Sequence, residues 1–159
     1  VRDTFDYDDQ RLVRDYIKHP GAVAVLAVND KDEILMIHQY RHPVRKLLWE
    51  LPAGLLDVEG ESHLEAAKRE LFEETSHVAN EWSLLQTFHA SPGGNSEQID
   101  IFLAKQVSEV ESDYVREGEE RDMEVRWVPF SEALKSVQSS EIQSPVAVIG
   151  ILALASLSG

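Results

Sequence analysis

Residues 49–77 read Trp49-Glu50-Leu51-Pro52-Ala53-Gly54-Leu55-Leu56-Asp57-Val58-Glu59-Gly60-Glu61-Ser62-His63-Leu64-Glu65-Ala66-Ala67-Lys68-Arg69-Glu70-Leu71-Phe72-Glu73-Glu74-Thr75-Ser76-His77. The stretch opens as a short apolar strand, turns at Pro52-Ala53-Gly54 and runs through a loop into an acidic helix. Ser62, followed three residues later by Glu65, has the capping-box spacing that marks a helix start. Leu64, Ala67, Leu71 and, at the far end, Val78 supply a buried stripe. On the other face Glu70, Glu73 and Glu74 stand at i, i+3 and i+4, so their carboxylates share one side of the helix. Like charges at that spacing repel, and a cation between them offsets the cost. Hard oxygen ligands gathered in this way suit Mg²⁺, with Mn²⁺ as a substitute. On charge alone, a solvated acidic face balanced by Lys68 and Arg69 is the better account.

The chain has 159 residues, enough for one domain with a real core. At 43% hydrophobic and 28% charged it has the composition of an ordinary soluble protein. Without cysteine there is no disulfide, thiolate ligand or cysteine nucleophile, which fits a reducing cytosol; a cytoplasmic location is expected. No apolar run reaches membrane-spanning length, and no signal peptide is recognised. The net charge of −14 disfavours nucleic acid as a partner. An anionic substrate must therefore be met by local arginines and by metal.

Residues 1–7 and 11–17 pattern as two strands around Asp8-Asp9-Gln10, an antiparallel ribbon over residues 1–20. Its Phe5, Tyr7 and Tyr16 suit a ribbon surface, or stacking on a base. Gly21 to Val28 is a small-apolar run typical of a buried strand. After the turn residues Asn29 to Asp32, Glu33 to Tyr40 returns as a strand, so the two are expected to form a hairpin. Arg41 closes that strand with the fork best suited to phosphate, although a surface ion pair is as common a use. Arg45 and Lys46 read as solvated loop charges.

Strands follow at Glu81 to His89 and Gln98 to Leu103. The glycine-rich loop between them carries one acid, Glu97. A mobile loop of that kind can bring a base to a substrate, and a plain hairpin loop would look the same. Residues 109–122 are densely acidic and read as an exposed loop, followed by a strand from Met123 to Pro129. Ser131 is placed as the cap of a short helix, and Ser144-Pro145 opens the last helix, apolar almost all round. Strands, a helix, more strands and two helices make an α+β sandwich, not a doubly wound sheet.

The quoted stretch resembles the Nudix box. Gly54, Glu61, Arg69, Glu70, Leu71, Glu73 and Glu74 match in order. Six residues separate Gly54 from Glu61 where the pattern has five, Ser76 replaces a glycine, and His77 replaces an aliphatic residue. The extra residue falls in the loop before the helix and leaves the carboxylate spacing intact. Ser76 and His77 fall at the helix exit, where glycine ordinarily supplies a left-handed cap. Trp49 to Gly54 before the box, and Ser91-Pro92-Gly93 with Glu97 after it, are similar to the ADP-ribose pyrophosphatase branch.

The resemblance implies an α/β/α sandwich with a mixed β-sheet over residues 21–159, the ribbon belonging to the same unit. It implies Mg²⁺-dependent hydrolysis of ADP-ribose to AMP and ribose 5-phosphate. Glu70, Glu74 and the Ala53 carbonyl are implied metal ligands. Glu97 is implied as the catalytic base, sharing a metal, and Glu73 as a residue that acts through water or tunes the cluster. Arg69 is implied to brace the carboxylates. Arg41 and Arg14 are carried over as substrate contacts, and a homodimer as the assembly, its N-terminal strands exchanged and helping to hold the adenine. Three alternatives stay open: a pyrophosphatase for another nucleoside-diphosphate sugar, a non-catalytic ADP-ribose-binding regulatory module, and a plain acidic structural protein.

Overall fold

The structure, a computed structural model, describes residues 1–116, 118 and 121–157. A two-stranded antiparallel ribbon comes first: β1 (Arg2–Tyr7) and β2 (Gln10–Asp15), turning at Asp8-Asp9. Of its strand residues all but Leu12 are exposed. The remaining strands are β3 (Ala22–Ala27), β4 (Glu33–Arg41), β5 (Lys46–Glu50), β6 (Ala53–Leu55), β7 (His77–His89), β8 (Gln98–Glu109) and β9 (Glu124–Pro129). Lys46 thus opens a strand instead of lying in a loop. The helices are α1 (His63–Thr75), α2 (Phe130–Gln138) and α3 (Pro145–Leu157).

The expected hairpin of β3 and β4 does not form. The two strands meet only at the Val28–Ile34 bridge and then part into different sheets. β3 runs parallel to β8 and antiparallel to β6, within a mixed sheet ordered β6-β3-β8-β7. β4 is antiparallel to both β5 and β9 in a second sheet. Each strand has both edges taken, so neither has one left for the other.

β3 is buried from end to end because both its faces are covered. Ala22, Ala24 and Leu26 enter the core shared with α2 and α3, through Ala133, Ala147 and Ile151. Val23, Val25 and Ala27 enter the core shared with α1, through Ala66, Ala67 and Leu71. The result is the α/β/α sandwich that the resemblance implied. α3 is apolar all round and packs on strands of both sheets, β3, β7 and β8 of the first and β5 of the second.

Local details differ from the sequence reading in two further places. Val78 lies in β7, exposed, and is not part of the helix stripe; Ala66 is buried there instead. Ser131 sits inside α2, whose cap position is Pro129 with no side-chain cap bond. Within the acidic run, Glu117, Glu119 and Glu120 lie outside the described residues.

Candidate active site

The chain reaches the site through Glu50, Leu51 and Pro52, all buried, with the Pro52 carbonyl accepting from the Val25 N–H at 2.8 Å. β6 then lays Ala53 and Gly54 along the edge of β3. α1 begins at a complete capping box between Ser62 and Glu65 and docks through Ala66, Ala67 and Leu71. Its opposite side returns to the turn. The buried Glu74 accepts from the Ala53 N–H at 2.8 Å, and the Glu70 carboxylate occupies the space that any side chain at position 54 would fill.

Arg69 reconciles this cluster of acids. Its guanidinium donates to Glu61 through Nε and Nη2, both at 3.0 Å, and through Nη1 to Glu70 at 2.6 Å and Glu73 at 3.1 Å. The Glu61 contact, together with those to Glu70 and Glu73, outweighs burial and raises the Arg69 pKa above its ordinary value. The expected brace is therefore in place. α1 ends at Ser76, which takes the left-handed conformation of the missing glycine at φ 58° and ψ 33°. His77, at the other unusual position, is buried edge-on to Trp127, so the ring fills the apolar slot.

A cavity of about 660 Å³ opens onto Glu70, Glu73, Glu74, Ala53, Arg69 and Glu97. Arg41 is on its wall, gripped by the buried Glu50 at 2.7 and 3.1 Å. Arg14 is not brought there; it is exposed on β2, with Nη1 donating to the Val13 carbonyl. Sequence reasoning missed His19, Asp57 and Tyr114, which also line the cavity. For His19 the signal was a polar ring directly before Pro20-Gly21, ahead of the buried strand.

Carboxylate oxygens, those of Asp57, Glu70, Glu73, Glu74 and Glu97, outnumber the single imidazole of His19 around the cavity, which suits Mg²⁺ or Mn²⁺ better than a soft metal. Among the described residues no three acidic or imidazole side chains already meet at one point. Arg69 and the Ala53 N–H hold the oxygens instead. The fit to a hard divalent ion lies in donor chemistry and in the way Gly54 admits Glu70.

A family model described as the NUDIX domain matches residues 18–146. The chain is 42% identical over 144 residues to the ADP-ribose pyrophosphatase of Mycobacterium tuberculosis (strain ATCC 25618 / H37Rv), covering 90% of this chain and 69% of that protein. It is 42% identical over 130 residues to the ADP-ribose pyrophosphatase of Bacillus subtilis (strain 168), covering 81% of this chain and 69% of that protein. A crystal structure of an ADP compounds hydrolase superposes with a TM-score of 0.77 over 98% of this chain and 83% of that one. At 21% identity, that likeness speaks for the fold.

Proposed function

This chain belongs to the NUDIX domain family, and from that premise we propose that it hydrolyses ADP-ribose to AMP and ribose 5-phosphate with a divalent metal, Mg²⁺ by preference. The observation that carries the reading is that the α1 carboxylates, Glu97 and Arg41 line one cavity. The names of the two relatives at 42% identity support the choice of substrate.

When bound, the metal supplies positive charge against the diphosphate and makes hydroxide available near neutral pH. Glu70, Glu74, Glu97 and the Ala53 carbonyl would hold it. Glu97 takes the proton of the attacking water as the water oxygen bonds to one phosphorus and that phosphorus loses its bond to the bridging oxygen, which leaves as part of the other phosphate. Glu73 tunes the cluster through its contact with Arg69. Arg41, oriented by Glu50, pairs with a phosphate oxygen. The exposed ribbon, with Arg14 on it, is assigned to contact with a second copy in a homodimer and to that copy's substrate. A cytoplasmic location goes with this reading. Among the described residues no helix is long and apolar enough to cross a membrane.

Chromatography of the products after incubation with a panel of nucleoside-diphosphate sugars, with and without Mg²⁺, tests the proposal. AMP and ribose 5-phosphate, formed faster from ADP-ribose than products from any other member of the panel, are expected. Preference for a guanosine or uridine sugar would replace the substrate assignment. Binding of ADP-ribose without turnover would make the protein a sensor.

A further inference from the structure

The loop that carries Glu97 is tied to the segment joining the ribbon to β3. Ile17 and Asn95 form a parallel bridge. The Ile17 N–H donates to the Gly94 carbonyl at 2.9 Å, and the Ser96 N–H donates back to the Ile17 carbonyl at 3.0 Å. The His19 N–H then donates to Ser96 Oγ at 2.9 Å. These bonds bring the His19 ring onto the cavity wall beside Glu97.

The ring is held in one protonation pattern by its own backbone. Gly21, at φ 101°, aims its N–H at His19 Nδ1, 3.2 Å away. An Nδ1 that accepts a hydrogen bond carries no proton, so the proton of the neutral ring is on Nε2. Nε2 stands 3.7 Å from Glu97 Oε1, and the two side chains are only 22% and 20% exposed. That separation is longer than a hydrogen bond, and such contacts commonly tighten when substrate binds. An N–H aimed at a carboxylate in a partly dried cavity acts more strongly than it would in water.

We propose that His19 is a positioning residue for the hydrolysis: its Nε2–H holds the Glu97 carboxylate in the orientation that accepts the water proton. The His19 ring acts by the N–H that it turns to Glu97. The inference rests on the reading of Glu97 as the base.

Two substitutions separate the two ends of the ring. In His19→Asn the side-chain oxygen replaces Nδ1 and keeps the Gly21 contact, but nothing donates to Glu97. In His19→Gln the amide N–H reaches toward the Nε2 position while the Gly21 contact is lost. With ADP-ribose and Mg²⁺, His19→Asn should lower kcat about 10- to 100-fold, on the scale of lost supporting hydrogen bonds. KM should stay within about twofold, because only a transition-state interaction is removed. His19→Gln should recover most of kcat. Once Glu97→Gln has been introduced, adding His19→Asn should slow the enzyme no further.

An unchanged kcat in His19→Asn, or His19→Gln as slow as His19→Asn, would overturn the proposal. So would an effect confined to KM. Thermal melting of both variants shows which of them is folded. If Glu97→Gln is slow and His19→Asn adds its full effect on top, Glu97 stands as the base and His19 falls. If Glu97→Gln turns over at the wild-type rate, the base assignment fails and the His19 inference falls with it.

Discussion

A Cβ placed on Gly54 would stand 2.0 Å from the carboxyl carbon of Glu70 and 2.0 Å from its Oε1. The glycine is therefore needed for what lies against it, and no left-handed backbone is required there. Gly54→Ala must expel the Glu70 carboxylate from its seat between β6 and α1. The expected outcome is a folded protein whose activity requires about 10- to 100-fold more Mg²⁺, the usual cost of disturbing a ligand's support. Activity measured across a Mg²⁺ titration, alongside a thermal melt, checks this. An unaltered titration would mean that Glu70 does its work from another position.

Glu74 has two duties that one substitution can separate. It is buried, and it accepts the Ala53 N–H at 2.8 Å, which pins the turn to the helix. In Glu74→Gln the amide oxygen can still accept that N–H, while the negative charge is lost. The melting temperature should stay within about 4 °C of wild type, a change of about 1 kcal/mol or less. Turnover of ADP-ribose should drop by about two orders of magnitude, on the scale of a lost charge-stabilising group. A plain acidic structural role predicts no functional change at all, so the activity assay separates the two.

The helix and its acids were legible because their signals are local. The Ser62–Glu65 box and the spacing of Glu70, Glu73 and Glu74 need no knowledge of the rest of the chain. The pairing of β3 was not legible, because a strand buried on both faces carries no alternation to say which neighbour it takes. Two apolar runs separated by turn residues looked like a hairpin, yet β6 and β8 claim both edges of β3. His19 escaped notice for a related reason. Its partner Ser96 is 77 residues away, and only the fold brings the Glu97 loop alongside. Arg14 shows the converse: its residue type suits phosphate, but the single chain leaves it on the exposed ribbon.

Asp100 ties α1 to the sheet and makes that tie sensitive to pH. It is buried on β8, with one carboxylate oxygen 2.6 Å from His63 Nδ1 and the other accepting from Thr87 Oγ1 at 2.7 Å. Burial raises its pKa, but the hydrogen bonds from His63, Thr87 and Gln98 and the attraction of His63 more than reverse this, so it ends below the usual carboxylate value. A depressed carboxyl stabilises the fold above its unfolded pKa of about 3.9, and that stability is lost as pH falls through the folded value. Asp100→Asn should therefore cost about 1–3 kcal/mol at pH 7, the penalty for a disrupted buried hydrogen-bond set. The gap between variant and wild type should narrow once the pH drops below about 4. Urea unfolding of both proteins at neutral and acidic pH measures it, and a gap that is constant across that range would rule out the linkage.

Ser76 stands where the family pattern has glycine, and its backbone still adopts the left-handed conformation at φ 58°. The helix ends there because this left-handed turn redirects the chain: the Ser76 N–H still makes the last helical bond, to the Phe72 carbonyl at 2.8 Å, but its carbonyl accepts from the Val110 N–H at 2.9 Å. Those bonds use the backbone alone, so a glycine would keep them. A serine in this region carries a steric cost of about 1–2 kcal/mol that glycine avoids, offset in part by the greater freedom of glycine in the unfolded chain. Ser76→Gly should accordingly raise stability by roughly 0.5–1 kcal/mol in urea unfolding. Because Ser76 is absent from the cavity wall, kcat and KM for ADP-ribose should not change. A stabilised variant with altered kinetics would show instead that the helix exit is coupled to the carboxylates one turn earlier.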